Sequence, residues 1–240
     1  MMDPKDINFA AMPQTAINVV TKPAEFFQGM PKTGGFLEPL VFAVVMGVIV
    51  GIIQAILGLI GLGPAGGYGG GGMSSFGMII FMPIAVAIGS FIGAAIFFVI
   101  WKLMGSQENY ETAYRCGAYL MALSPITAVL GAVPYAGGLV SMAIFTLYIV
   151  MASVHVHNIP SQKAWLVFGI IGLVFALGGF YTEYKARNMA SSMEKWRQMG
   201  EEYRESAEDM AASTDEMRRQ AQEMADQLRQ KAEREQRQTE

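Results

Sequence analysis

The sequence has little charge where a soluble protein would need it most. Asp, Glu, Lys and Arg make up 15% of its 240 residues. Between Phe36 and Thr182 only Glu38, Lys102, Glu108, Glu111, Arg115 and Lys163 carry a formal charge. Soluble helices keep a charged outer face, so this middle section is not built to meet water. Cysteine is almost missing as well. The single Cys116 rules out an internal disulfide, and at the head of an apolar run it reads as a small buried residue. The opening MMDPKDINFAAMPQ lacks the basic start and apolar run of a cleavable signal peptide, so the first span is expected to direct insertion. No Ser/His/Asp, Cys/His or HExxH arrangement is legible. Hence no catalytic, cofactor or metal site is expected, and an enzyme is not. Near-balanced charge over 183–240 argues against nucleic acid.

What is present is apolar: 52% of residues, with 18 Met and 27 Gly, glycine being more frequent in membrane helices than in soluble ones. A membrane helix needs about 20 mostly apolar residues. Residues 36–61, 76–101 and 164–182 meet this. The run from Cys116 to Tyr148 is too long for one span, and Pro134 with Gly137 and Gly138 breaks it. It reads as a hairpin of spans 116–133 and 136–154, with a kink at Pro125. The fold class expected is all-α: a polytopic membrane protein with five transmembrane helices. The domains are an amino-terminal segment 1–35 with an interfacial amphipathic helix, a membrane domain 36–182, and a heptad-patterned helix 183–240.

Positive charge alternates between the loops. Lys5, Lys22 and Lys32 precede the first span, Lys102 and Arg115 flank the second loop, and Lys163 lies in the fourth. The loops GPAGGYGGGGMSS and VPYAGG have neither Lys nor Arg. This favours a cytoplasmic amino terminus, although Lys185, Arg187, Lys195 and Arg197 after the last span run against the pattern.

TKPAEFF (21–27), AYRCGAYLMALSP (113–125), VPYAGGL (133–139) and QKAW (162–165) together resemble the Yip family of Ypt/Rab-interacting membrane proteins, in its bacterial branch. The residues carrying the pattern are Pro23, Phe26, Phe27, Tyr119, Pro125 and Pro134. The resemblance implies five spans, a cytoplasmic amino terminus and a location in the bacterial inner membrane. It also makes the Glu108–Arg115 segment a cytoplasmic interfacial lead-in, with Tyr110, Tyr114 and Tyr119 near headgroup level. The Asp-Leu-Tyr-Gly-Pro run of eukaryotic members is missing, so a GTPase-binding role is not implied.

Other features weigh less. Gly67, Gly69 and Gly72 spell GxGxxG, but between membrane helices they read as a flexible loop and not as a nucleotide site. His155 and His157, two apart on a helix, point in different directions and read as interfacial histidines. Gln54 is the strongly polar residue of a span core. Glu38 and Lys102 sit at span ends, where side chains snorkel. Small residues recur every four positions at Ala43, Gly47, Gly51 and Ala55, and at Ala85, Gly89 and Gly93. Such stripes pack helices within the monomer or between copies.

From 186 onward the tail carries a 3–4 apolar alternation through Met189, Met193, Trp196, Tyr203, Ala207, Met210, Met217, Ala221, Met224 and Leu228. Left alone, this stripe would lie in water, so the tail is expected to self-associate; lying on the membrane or docking on another protein are the alternatives. The function expected is a non-enzymatic, homo-oligomeric membrane scaffold with bilayer lipids as partners. The rival is a channel or transporter for a small, largely uncharged solute.

Overall fold

The computed structural model describes residues 8–62 and 72–239. The chain forms two compact units, Met1–Arg187 and Asn188–Glu240. The described residues are helical, without strands.

A single 3-10 turn, Phe9–Ala11, comes first among the described residues, and the Asn8 side chain accepts from the Ala11 amide. Helices α1 (Met12–Thr21) and α2 (Pro23–Gly29) follow. Pro23 has no N–H to continue the α1 ladder, and Lys22 leaves helical geometry at φ −135°, so the chain turns there. The pair is more than an interfacial helix. Val19 and Phe27 are fully buried, packed in one core with Trp101, Tyr119 and Ile149. The Tyr148 hydroxyl donates to the Val20 carbonyl and holds the pair in place.

Helices α3 (Leu37–Leu59) and α4 (Gly72–Leu103) make the most extensive helix pair. The first small-residue stripe explains why: Ala43, Gly47, Gly51 and Ala55 are all buried. A Cβ on Gly47 would lie 3.1 Å from Val86 and 3.2 Å from Pro83, which measures how closely the helices approach. Pro83 itself sits inside a continuous α4. The second stripe fares differently. A Cβ on Gly89 or Gly93 would touch nothing within 4 Å. With Ala85 they line an open crevice of about 280 Å³.

The expected span 116–133 is not one kinked helix. Helix α5 (Tyr110–Leu120) starts earlier, capped by the Asn109 side chain, which accepts from the Thr112 amide. A 3-10 turn, Met121–Leu123, then leads into α6 (Ser124–Leu130), with Pro125 in its first turn. Pro125 cannot donate to the Met121 carbonyl one turn back. The Ser124 hydroxyl bonds that carbonyl instead, at 2.6 Å. The chain therefore restarts at this proline.

VPYAGG does form the turn into α7 (Ala136–His155). Tyr135 adopts φ +60°, and its amide donates to Glu183 at 3.0 Å. The last helix, α8, runs Ser161–Thr239. Among the described residues, four helices are long and apolar enough to cross a membrane: Leu37–Leu59, Ile79–Leu103, Ala136–His155 and a stretch within Ser161–Arg219.

Within the second unit, α8 exposes Met193, Trp196, Tyr203, Met210, Met217 and Met224. Pairs such as Arg204–Glu208 (3.1 Å) and Arg197–Glu194 (3.0 Å) lie one turn apart along it. Met189 and Ala207 are exposed too. The side chains of Ala221 and Leu228 lie outside the described residues, as do Gly67 and Gly69.

The hairpin turn yields a contrast. A Cβ on Gly137 would lie 1.8 Å from the Leu130 carbonyl oxygen, whereas one on Gly138 would touch nothing within 4 Å. Gly137→Ala must displace backbone and is expected to cost about 1–3 kcal/mol; Gly138→Ala should be close to neutral. Thermal melts of the two purified variants in detergent check this, and equal melting temperatures would contradict the turn.

Candidate functional site

The loop 30–35 between α2 and α3 has no regular structure, so its carbonyls must find donors elsewhere. Helix α5 supplies them. Arg115 is buried, with 1% of its side chain exposed. Its Nε donates to the Pro31 carbonyl at 2.7 Å and its Nη1 to the Gly35 carbonyl at 2.9 Å. Nη2 reaches the Glu38 carboxylate at 2.9 Å and the Tyr119 hydroxyl at 3.4 Å. One turn toward the amino terminus, Glu111 accepts from the Gly35 amide at 2.6 Å, and the Thr112 hydroxyl donates to the Lys32 carbonyl at 3.1 Å. Lys32 pairs with Glu108 at 2.6 Å and donates to the Val156 carbonyl at 3.1 Å. A fork of five donors is the chemistry that can satisfy several carbonyls and one carboxylate from a single side chain.

A buried charge is tolerated only when paired and hydrogen-bonded, and removing one partner of such a pair typically costs about 3–5 kcal/mol. Glu38 is 44% exposed, which puts this pair at the lower end. Glu38 is thus an ion-pair partner and not a snorkelling side chain. Lys102 is exposed, with its ammonium 5.6 Å from the Phe98 ring centre.

Beside this lies a second polar group. The His157 ring stacks on Trp101 with centres 3.9 Å apart, and its Nδ1 is 2.8 Å from the Ser106 hydroxyl. Its Nε2 lies 3.8 Å from the Cys116 sulfur. Trp101 Nε1 donates to Ser153 at 2.7 Å. Burial pushes the His157 pKa down to about 4; the Glu108 charge pulls it back up, and Lys32 and Lys102 push it down. The imidazole is neutral at physiological pH. A Cys/His neighbourhood therefore exists, 41 residues apart in sequence, where none was legible. Both side chains are buried, out of reach of a dissolved substrate. Among the described residues no three His, Cys, Asp or Glu come together to hold a metal.

The sequence placed Tyr110, Tyr114, Tyr119 and His157 at headgroup level. Within the protein, Tyr114, Tyr119 and His157 are buried. Tyr114 stacks on Phe91 at 4.4 Å, and the Tyr110 hydroxyl donates to the Phe91 carbonyl at 2.9 Å. Four of the residues that carried the family pattern converge here. Phe26 meets Phe27 edge-on at 5.5 Å and Tyr119 at 5.2 Å, while Phe42 lies 5.3 Å from Tyr119. Pro23 starts α2 beside them, whereas Pro125 and Pro134 shape the α6 and α7 ends of the hairpin. Arg115 is the residue whose importance sequence reasoning missed. Its signal was its spacing from Glu111 and Thr112, which puts an arginine on the same face of α5 as two other polar side chains.

Apolar helices, a docked amino-terminal helix pair and a polar belt at one end of the bundle define a multi-pass helical membrane protein. A family model described as the Yip1 domain matches residues 17–182, and the chain belongs to that family. No curated protein and no solved structure matches it. The match spans loop 30–35, α5 and the hairpin, and ends before the tail.

His157 gives a pH test. Above pH ~6.5 the ring is neutral whether folded or not. Between 6.5 and about 4 the unfolded chain takes up a proton that the folded one refuses. Stability should therefore fall with falling pH by on the order of 3 kcal/mol across that window. His157→Asn should flatten this part of the profile in detergent melts. An unchanged slope would show that other groups set it.

Proposed function

We propose that the chain is a non-enzymatic membrane scaffold of the bacterial inner membrane, assembled through its carboxy-terminal helix. The observation that carries this is the exposed 3–4 stripe of α8. Trp196, Tyr203, Met210, Met217 and Met224 would each gain by burial, and neighbouring charges are paired along the helix. A partner protein or the membrane surface are the other covers for this stripe; its near-balanced charge weighs against anionic lipid. The channel reading draws no support from the crevices beside α4, about 280 and 230 Å³, whose linings are almost wholly apolar.

The membrane arrangement belongs to the same proposal. Four helices qualify as spans by themselves, and α5 with α6 would supply a fifth, broken crossing between α4 and α7. The Lys and Arg distribution between the loops supports an amino terminus, and with it the belt around Arg115, on the cytoplasmic side. With Cys116 replaced by serine, a cysteine at Ser75 should react with a membrane-impermeant reagent in intact cells, while one at Gln107 should not. Equal labelling of the two would sink this topology.

For the tail, Met210→Glu with Met217→Glu places two charges in the seam, and desolvating an unpaired ion costs several kcal/mol. The solubilised complex should fall in mass while the spans remain inserted. An unchanged mass would remove the tail as the assembly element.

A further inference from the structure

From Trp196 onward the heptad positions of the tail alternate in size as well as in polarity. The first positions hold Gly200, Ala207 and Thr214, and the fourth hold Trp196, Tyr203 and Met210. Those three large side chains are 71%, 77% and 69% exposed. Between them the helix surface is hollowed into a groove lined by Tyr203, Ser206, Ala207, Met210, Ala211 and Thr214. Thr214 brings no unpaired donor to it, because its hydroxyl donates to the Met210 carbonyl at 2.8 Å.

In a parallel coiled coil, a side chain at the fourth heptad position enters a hole with four corners on the facing helix. They are the same position, the residue after it and the first positions on either side. For Met210 the corners are Ala207, Met210, Ala211 and Thr214, all of which line the groove. The knob that meets the groove at that level is the Met210 of a second copy. One heptad earlier Gly200 and Ala207 leave the room that a second Tyr203 needs, and a Cβ on Gly200 would touch nothing within 4 Å.

Charge selects the same occupant. Residues 201–216 hold seven carboxylates against one arginine, a charge that an anionic bilayer surface repels. None of the seven borders the groove: Ser206 and Ser213 lie along one edge, Arg204 and Arg218 along the other. Both arginines pair within their own helix, with Glu208 at 3.1 Å and Asp215 at 3.9 Å. Parallel pairing sets each arginine edge against a serine edge, whereas antiparallel pairing sets arginines against arginines.

The membrane unit sets the direction. Glu183 holds the Tyr135 turn at one end of α7, while Lys32 bonds the Val156 carbonyl at the other. The last span therefore ends at the same end of the bundle in every copy, and two copies inserted alike start their tails on one membrane surface.

We propose that two copies in one membrane join through their tails as a parallel, in-register coiled coil, the Met210 of each seated between Ala207 and Thr214 of the other. This rests on the reading of the tail as the assembly element and adds its partner, direction and register.

The test uses full-length chains in native membranes, with Cys116→Ser, one added cysteine each and a mild oxidant. Gly200→Cys and Thr214→Cys should each shift from monomer to disulfide-linked dimer on a non-reducing gel. Glu205→Cys and Ala212→Cys, on the outer face of the same turns, should stay monomeric. Positions 200 and 214 lie about 21 Å apart along the helix, so an antiparallel or staggered pair cannot link like to like at both. Linkage at one or neither of them, or equal linkage at the outer pair, would overturn the proposal. The Met210→Glu, Met217→Glu complex separates the two failures. If its mass still falls, the tail assembles in another arrangement; if its mass is unchanged, the tail is not the assembly element at all.

Discussion

The folded arrangement of the first unit depends on one buried guanidinium. Arg115 joins the α2–α3 loop, the start of α3 and the middle of α5 through the Pro31 and Gly35 carbonyls, the Glu38 carboxylate and the Tyr119 hydroxyl. The loop brings α1 and α2 onto the bundle, where Phe27 and Val19 are buried against the same helices. An apolar residue at 115 would leave loop carbonyls and a carboxylate without donors. A lysine would reach one partner with a compact ammonium and lose the fork. The family match covers both halves of this clamp.

Around the clamp the helices solve a shared problem: in a medium without water, every backbone and side-chain polar group needs a partner inside the protein. Ser124 caps the carbonyl that Pro125 cannot serve. Glu183 holds the Tyr135 amide at its left-handed turn, with the Arg187 guanidinium 5.4 Å from the Tyr135 ring. Lys163 donates to the Met104 carbonyl at the end of α4.

The two small-residue stripes show how similar spacing can serve different ends. That of α3 is spent on close contact with α4, Gly47 against Val86 and Pro83. That of α4 faces open space at Gly89 and Gly93, beside the Val86 that meets Gly47. Spacing identifies a surface that permits approach; what approaches depends on the neighbouring elements.

The sequence by itself determined the apolar helices, the glycine-dependent turn at VPYAGG, the 3–4 alternation of the tail and the family pattern. Each is a local property: a run length, a residue without a Cβ, a period along one helix. Where Arg115, Tyr114 and His157 sit was decided only by tertiary structure. Their partners lie far away along the chain, as Pro31 does from Arg115 and Ser106 from His157. A charged or aromatic residue at a helix entrance reads locally as interfacial, since water or headgroups are the partners a single helix can be seen to have. Only the packing of α2, α3, α4, α5 and α7 replaces them with carbonyls, a carboxylate and a tryptophan face.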